Sequence, residues 1–325
     1  MERHPRVPFL YFAVDTISMD IFLQQIINGL VQGSIYALVA LGYTMVYGIM
    51  GLINFAHGEV VMIGTLVTIT VAGTLIKAGM PVALAGLCGL SVSVLMCMAL
   101  GWGLERIAYR PLRNAPRLTP LITAIGMSIV LQNLAMIIWG RNYLTFPPLV
   151  PKIDFEWGGA HFSSVQVVIV LVSAMTMGGL LFLIYRTKLG MAMRATAQNP
   201  AVASLMGVPI NRVISAAFVI GSALGALAGA MVGTYYEVAH YQMGFMLGLK
   251  AFTAAVLGGI GNLAGAMIGG VLLGLIEALG AGYIGDLTGG FLGSHYQDIF
   301  AFIVLIGVLM FKPSGLFGEK TGDRA

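Results

Sequence analysis

The chain has 325 residues, of which only 9% are charged and 58% are hydrophobic. Soluble domains carry about 25% charged residues, so this sequence cannot supply a polar surface for a folded chain of its length. The composition therefore excludes an ordinary water-soluble protein and indicates that lipid is the solvent for most of the surface. The formal net charge of +4 requires no nucleic-acid partner, because basic residues are expected in loops on one side of a membrane.

Long apolar segments follow one another along most of the chain. They are continuous and do not alternate with a period of two, so they predict membrane-spanning helices and not a barrel. The first exceeds the roughly 20 residues that cross a bilayer; we expect it to tilt, protrude or break, with Gly33 and Gly42 as candidate break points. We predict an all-α polytopic integral membrane protein, one transmembrane domain over residues 1–325, with eight to nine transmembrane or broken helical segments and a possible inverted repeat. The predicted segments are 21–49, 55–76, 82–104, 119–139, 165–185, 213–235, 245–260, 263–284 and 296–311.

The stretch GLINFAHGEV, residues 51–60, places three polar side chains between the first two apolar segments. His57 and Glu59 are two residues apart and do not share a helix face, so the zinc pattern H-E-x-x-H is absent. One interpretation makes Asn54 the N-cap of the second helix, with Glu59 in its first turn. The other places Asn54 and His57 on a translocation path, where the helix N-terminus attracts a carboxylate. In either case Glu59 must face protein, water or the membrane interface.

Basic residues in the loops predict the orientation in the membrane. The loops near 105–118 and 186–212 and the C-terminal tail are rich in Lys and Arg, which places them in the cytoplasm, whereas loop 140–164 is expected outside. Counting crossings backward puts the N-terminus outside; Arg3 and Arg6 oppose this, and an extra crossing in the first segment would reverse it. The basic residues on the predicted cytoplasmic side are Arg106, Arg110, Arg113, Arg117, Arg186, Lys188, Arg194, Arg212, Lys312, Lys320 and Arg324.

Residues 186–212 are too numerous for a simple connection between two helices. The first part is rich in Met and Ala, which favour helix. Asn199 followed by Pro200 is typical of an N-cap with proline at the first helical position, so a second short helix is predicted there. The apolar residues of this pair of helices lie either on the lipid surface or in the groove of a partner protein.

The second half of the chain contains a glycine-rich run and an acidic residue within an apolar segment. The run GGIGNLAGAMIGG predicts close approach of two helices through small residues, or a flexible turn that opens. Glu277 lies within an apolar segment, so we expect it to be buried against a partner helix or subunit. The pattern Gly51-Leu52-x-x-Phe55 recurs as Gly248-Leu249-x-x-Phe252; this is either chance or a trace of an inverted repeat, which in transporters marks the substrate path.

The sequence offers little that could carry catalysis. It contains no convincing nucleophile and base pair, and the phosphate-binding pattern G-x-x-x-x-G-K-[ST] is absent. Cys88 and Cys97 do not share a helix face and are interpreted as ordinary packing residues. We predict no catalytic residue, no metal site and no ATP hydrolysis by this chain.

Four blocks of sequence resemble one transporter family: GLINFAHGE, LGMAMRATAQNPAVASLMGV, AFTAAVLGGIGNLAGAMIGG and KPSGLFG. Together they resemble permease subunits of branched-chain (hydrophobic) amino-acid ABC transporters, specifically the first of two paralogous permeases, over about residues 21–318. The resemblance implies half of a translocation path in the bacterial cytoplasmic membrane, supplied with substrate by a periplasmic amino-acid-binding protein. A second paralogous permease and two cytoplasmic ATP-binding subunits, which bind ATP and Mg²⁺, would complete the complex. Permeases for urea or short amides look similar and remain an alternative, as does a stand-alone secondary transporter.

The resemblance also suggests functional residues. The segment around residues 190–207 matches the family's ATPase-contacting segment, and its expected coupling residues are Gly190, Arg194, Ala195, Asn199, Pro200, Ala203, Leu205 and Gly207. A path for an aliphatic zwitterion should be apolar with few polar groups. Its candidate lining residues are Asn54, Phe55, His57, Met62, Phe252 and Met267, and ordinary helix packing is the alternative for each.

Overall fold

The computed structural model describes residues 19–113, 115–116, 118–288 and 296–318. Within these ranges, seven helices are long and apolar enough to cross a membrane, and two shorter apolar helices accompany them. The nine predicted apolar segments are therefore confirmed, each to within a few residues. The helices are α1 (Met19–Met50), α2 (His57–Lys77), α3 (Val82–Leu104), α4 (Leu118–Trp139), α5 (Ser164–Arg186), α6 (Lys188–Gln198), α7 (Pro200–Leu205), α8 (Ile210–Tyr236), α9 (Met243–Gly258), α10 (Leu263–Leu287) and α11 (Gln297–Phe311).

Short strands and a non-α segment complete the described fold. β1 (Leu144–Thr145) pairs antiparallel with β4 (Val238–Ala239), and β2 (Asp154–Trp157) pairs with β3 (Ala160–Ser163). These strands, which are two to four residues long, were not predicted from the sequence. The end of α3 continues into a π-helical turn at Glu105–Tyr109 and a 3₁₀ turn at Arg110–Leu112.

α1 forms the centre of the bundle. Of the three alternatives for this long segment, a break is not observed: the helix runs without interruption through Gly33 and Gly42, and most of its second half is buried. The glycines serve close packing instead. A Cβ added to Gly270 of α10 would lie 2.4 Å from the Cα of Ala37, and one on Gly274 would lie 2.2 Å from the backbone nitrogen of Gly33. The predicted close approach of helices through the glycine-rich run is thus confirmed.

Contacts at the two ends of the bundle agree with the predicted sides of the loops. The side chain of Gln24, near the start of α1, accepts a hydrogen bond from the backbone N–H of His161 in β3, at 2.8 Å. The start of α1 therefore lies on the same side as loop 140–164. At the opposite end, Arg113 donates to the side chain of Asn211 at 2.5 Å, which joins two of the loops predicted to be cytoplasmic. Residues 1–18, which include Arg3 and Arg6, and the basic residues Arg117, Lys320 and Arg324 lie outside the described residues.

Candidate functional site

The predicted N-cap at Asn54 is wrong. α2 begins at His57, its cap residue is Ala56, and no side chain caps the helix. The backbone N–H of His57 instead bonds the carbonyl of Asn54 at 3.0 Å in a turn. This turn directs the Asn54 side chain away from α2, and its Oδ1 accepts a hydrogen bond from the Tyr109 hydroxyl at 2.6 Å. Asn54 therefore ties the connection between α1 and α2 to the π-helical turn after α3.

His57 is buried deep in the bundle. A Cβ added to Gly42 of α1 would lie 2.2 Å from its Nε2 atom, and its ring packs edge-on against Tyr43 with centroids 4.9 Å apart. Gly42 lies eight residues before the end of α1, and a helix rises about 1.5 Å per residue. The His57 ring therefore contacts α1 about 12 Å inward from the end of that helix.

Glu59 faces protein, as its position in an apolar segment requires. Its Oε1 accepts a hydrogen bond from the Ser128 hydroxyl of α4 at 3.1 Å. A Cβ on Gly244 of α9 would lie 2.5 Å from Oε2. The start of α2 is thus enclosed by α1, α4 and α9.

The structure brings only some of the candidate path residues together. The rings of Phe55 and Phe252 lie 5.7 Å apart, and Tyr43 lies 6.3 Å from Phe252 and also contacts His57. The side chains of Phe55 and Phe252 are partly exposed. These aromatic rings, with His57 beside them, form one group at the junction of α1, α2 and α9.

Two other candidate path residues lie within helix packing. Met62 is completely buried in a cluster that includes Val60 and Cys97. Met267 of α10 is partly buried and packs against the main core. Asn54, as described above, bonds Tyr109. These three residues do not join the aromatic group in the described conformation.

Sequence analysis missed a charged cluster centred on Lys250 of α9. The Nζ atom lies 3.2 Å from Glu277 Oε2 in α10 and 2.7 Å from Asp298 Oδ1 in α11. The hydroxyl of Tyr36 in α1 donates to Glu277 Oε2 at 2.8 Å. The expected burial of Glu277 is confirmed, since its side chain is 1% exposed. The missed signal was a lone lysine inside an apolar segment, which is a marker of function.

A cavity of about 230 Å³ lies next to this cluster, between α1, α8 and α9. Most of its wall is apolar, and the ring of His240 stacks on Tyr143 at one edge, with centroids 4.5 Å apart. It reaches the side of the bundle that carries β1 and β4. Its lining residues are Tyr36, Tyr143, Val232, Tyr236, Val238, His240, Met243, Met246, Leu247 and Lys250.

The segment between α5 and α8 folds into the two short helices that its sequence predicts. Asn199 caps α7, and its Oδ1 accepts hydrogen bonds from the backbone N–H groups of Ala201 and Val202, both at 3.1 Å. Pro200 follows at the first helical position, and Gly207 ends the segment with a φ of 82°.

The expected coupling residues of this segment differ in exposure. Arg194 donates to the carbonyl of Ile184 and lies over the ring of Tyr185, so it holds α6 against the end of α5. Gly190 permits the same contact, since a Cβ there would lie 2.2 Å from the carbonyl oxygen of Ile184. Ala195 is half-buried, and Ala203 is buried.

The exposed apolar residues of α7, together with the residue that caps its C-terminus, form what we name the docking surface. It consists of Val202, Leu205 and Met206, and the last two are 87% and 81% exposed. The sequence predicted Leu205 as a coupling residue and placed Met206 beside it on an apolar surface with Ala203 and Val208. Val202 was not predicted, and a six-residue helix offers little periodicity from which to find it.

A buried carboxylate anchors the same end of the molecule. Glu105, in the π-helical turn, forms ion pairs with Arg113 and with Arg110, whose Nε lies 3.5 Å from Oε1. Its Oε2 accepts a hydrogen bond from the Ser215 hydroxyl in α8 at 2.6 Å. The network connects the start of α8, directly after the docking surface, to the turn that contains Tyr109.

Comparison with known proteins decides the family. Residues 25–309 match the model of the family described as "Branched-chain amino acid transport system / permease component". The chain belongs to this family. The resemblance found in the sequence is therefore confirmed, and with seven candidate spans among the residues that the structure describes, the chain is a multi-pass protein of the inner membrane.

Several relatives match along nearly their whole length. The high-affinity branched-chain amino acid transport system permease protein BraD of Pseudomonas aeruginosa is 46% identical, over 93% of this chain and 98% of its own length. The corresponding permease protein LivH of Escherichia coli K12 is 44% identical, over 93% and 97%. A probable branched-chain amino acid transport permease of Methanocaldococcus jannaschii is 28% identical, over 94% and 96%.

Proposed function

We propose that this chain is the transmembrane permease subunit of an ATP-binding-cassette importer and forms half of the path for branched-chain or other hydrophobic amino acids. The observation that carries this proposal is the identity of 46% and 44% to two permeases named for branched-chain amino acid transport, over nearly the full length of each. The apolar cavity and the aromatic group at the start of α2 support a substrate with an aliphatic side chain.

The proposed complex contains a second, paralogous permease, two cytoplasmic ATP-binding subunits and a periplasmic amino-acid-binding protein. ATP and Mg²⁺ bind to the ATP-binding subunits, and this chain binds no cofactor. The docking surface supports this arrangement: Leu205 and Met206 are exposed on a short capped helix, the kind of apolar face that fits a protein groove.

A continuous set of contacts can carry movement from the docking surface to the start of α2. α8 begins a few residues after α7, and its Ser215 bonds Glu105. Glu105 lies in the same π-helical turn as Tyr109, which bonds Asn54. Since π-helical turns occur frequently at functional sites, we propose that displacement of α7 by an ATP-binding subunit shifts the turn and, through Asn54, the start of α2.

We further propose that the substrate passes the aromatic group formed by Tyr43, Phe55 and Phe252, beside His57. In the described conformation, Asn54, Met62 and Met267 are engaged in packing or hydrogen bonds. Asn54 and Met62 would reach the path only if the start of α2 moves.

The substrate class is tested by uptake into proteoliposomes that contain the complete complex and its binding protein. Labelled leucine is expected to enter and to be competed by isoleucine and valine, whereas labelled urea is excluded. Uptake of urea without leucine would contradict the proposal and favour an importer of urea or short amides.

A further inference from the structure

We propose that the cavity beside Lys250 is a transit site for the substrate, in which Lys250 contacts the α-carboxylate of an aliphatic amino acid and the apolar walls contact its side chain. The inference rests on the proposed function, because it names a site for the same substrate. It concerns a place in the membrane domain that lies apart from the start of α2.

The cavity has two chemically different parts. Val232, Met243, Met246 and Leu247 supply an apolar wall, while Lys250 and the Tyr36 hydroxyl supply a polar end. Among the described residues that line it, Lys250 is the one Lys, Arg, Asp or Glu. A ligand that combines an alkyl group with one carboxylate matches this division.

The size of the cavity fits a small ligand. Pockets for drug-sized molecules have volumes of about 300–1,000 Å³, and this cavity has about 230 Å³. An amino acid of the size of leucine or valine is the class of ligand that such a space accommodates. A peptide or a sugar chain would not fit.

The lysine is held in place as a cation. Its side chain is 12% exposed, and Glu277 and Asp298 contact its Nζ atom from outside the cavity lining. Two carboxylates beside one ammonium stabilise the charge at a depth where a lone charge is costly. The Nζ atom also donates to the hydroxyl of Tyr36, a residue of the cavity lining, at 3.4 Å. These three contacts use the three donors of the ammonium group, so the substrate carboxylate would replace the long bond to Tyr36.

The location suits a transit site. Two of the cavity's lining residues are Tyr143, in the connection after α4, and His240, directly after β4. Both lie on the side of the membrane predicted to be external. Lys250 lies on α9, two residues before Phe252 of the aromatic group, so the two side chains face different sides of that helix. The cavity and the aromatic group are therefore separate places along the proposed path, both next to α9.

The test is ligand protection of a cysteine in the cavity wall. Met246→Cys is introduced together with Cys88→Ala, which removes the exposed native thiol; Cys97 is buried and stays. The complete complex is treated with a water-soluble thiol reagent in the presence of leucine, leucinamide or glycine, without binding protein. Leucine is expected to slow modification, whereas leucinamide, which lacks the carboxylate, and glycine, which lacks the alkyl group, should require about tenfold higher concentrations.

Three further substitutions separate contact with substrate from a structural role. Lys250→Gln combined with Glu277→Gln and Asp298→Asn removes all three charges of the cluster, and folding is checked by its thermal transition. In this background leucine and leucinamide should protect the introduced thiol equally. The proposal is overturned if leucine and leucinamide protect the introduced thiol at the same concentration while the Lys250 cluster is unsubstituted. It is also overturned if leucine does not protect the thiol.

Leu247→Trp provides a second measurement that leaves the charged cluster intact. The larger ring should fill the cavity and reduce leucine uptake about tenfold or more, whereas Met175→Trp on the exposed face of α5 should not. Normal uptake by Leu247→Trp would contradict the transit site. The proposed function fails separately, if the unsubstituted complex does not import leucine with ATP.

Discussion

At the scale of single residues, several polar side chains of this membrane protein connect separate elements. Asn54 bonds Tyr109, Glu59 bonds Ser128, and Glu277 bonds Tyr36. Each pair joins elements that are separate in the chain. A polar group in hydrocarbon needs a hydrogen-bond partner. These contacts therefore explain why polar residues are few in the bundle and why they lie opposite one another.

The Lys250 cluster should contribute strongly to stability. Lys250→Met leaves Glu277 buried without its cation, so we expect a loss of about 3–5 kcal/mol in the free energy of unfolding. Removing both charges with Lys250→Met and Glu277→Met should restore much of that loss. Denaturant titration in detergent measures both. The ion pair would be contradicted if the double variant lost more free energy of unfolding than the two single variants together.

The bond between Tyr109 and Asn54 should matter for transport. Tyr109→Phe leaves the buried Asn54 oxygen without a donor, at a cost of about 1–3 kcal/mol, and it uncouples the π-helical turn from the connection between α1 and α2. We expect ATP hydrolysis to continue while leucine uptake falls. Tyr296→Phe, at an exposed position, is the matched control. Equal uptake by both variants would remove this bond from the proposed coupling route.

At the scale of helices and strands, the sequence predicts the long elements well and the junctions poorly. Unbroken apolar runs of about 20 residues have few alternatives in a bilayer, so segments such as 82–104 match the observed helix. The start of α2 was predicted wrongly because the Asn54 side chain can accept a hydrogen bond either from the first turn of α2 or from Tyr109. In the structure it accepts the bond from Tyr109 and does not cap α2. The Lys250 cluster joins four helices that are distant in the chain, and one sequence does not reveal such pairing.

Packing between α1 and α10 depends on glycine. Gly274→Ala would place a methyl group 2.2 Å from the backbone nitrogen of Gly33, and overpacking of this kind costs about 1–3 kcal/mol or more. Gly178→Ala in α5 is the control, since a Cβ there meets nothing within 4 Å. It should be neutral or should stabilise the helix by up to about 1 kcal/mol. Thermal unfolding in detergent compares the two, and similar melting temperatures would contradict the close contact.

At the scale of the whole molecule, the docking surface should separate ATP hydrolysis from transport. Leu205→Asp places a charge on an exposed apolar face and is expected to leave the subunit folded while it abolishes coupling. Ala203→Asp is a weaker test of docking, because Ala203 is buried and the substitution would destabilise α7.

Leu118→Asp is the matched control for Leu205→Asp. Leu118 is exposed at the start of α4, where a negative charge suits the helix dipole. If Leu205→Asp transports normally, the docking surface has another role.

The proposed function requires this chain to work only as part of an ATP-driven complex, and a comparison of two proteoliposome preparations tests that claim most directly. The first contains both permeases, the ATP-binding subunits and the binding protein; the second contains this chain alone, with an ion gradient and no ATP. We predict that labelled leucine accumulates only in the first and only when ATP is supplied on the side of the docking surface. Accumulation by the chain alone, driven by the ion gradient, would contradict the account and identify a stand-alone secondary transporter.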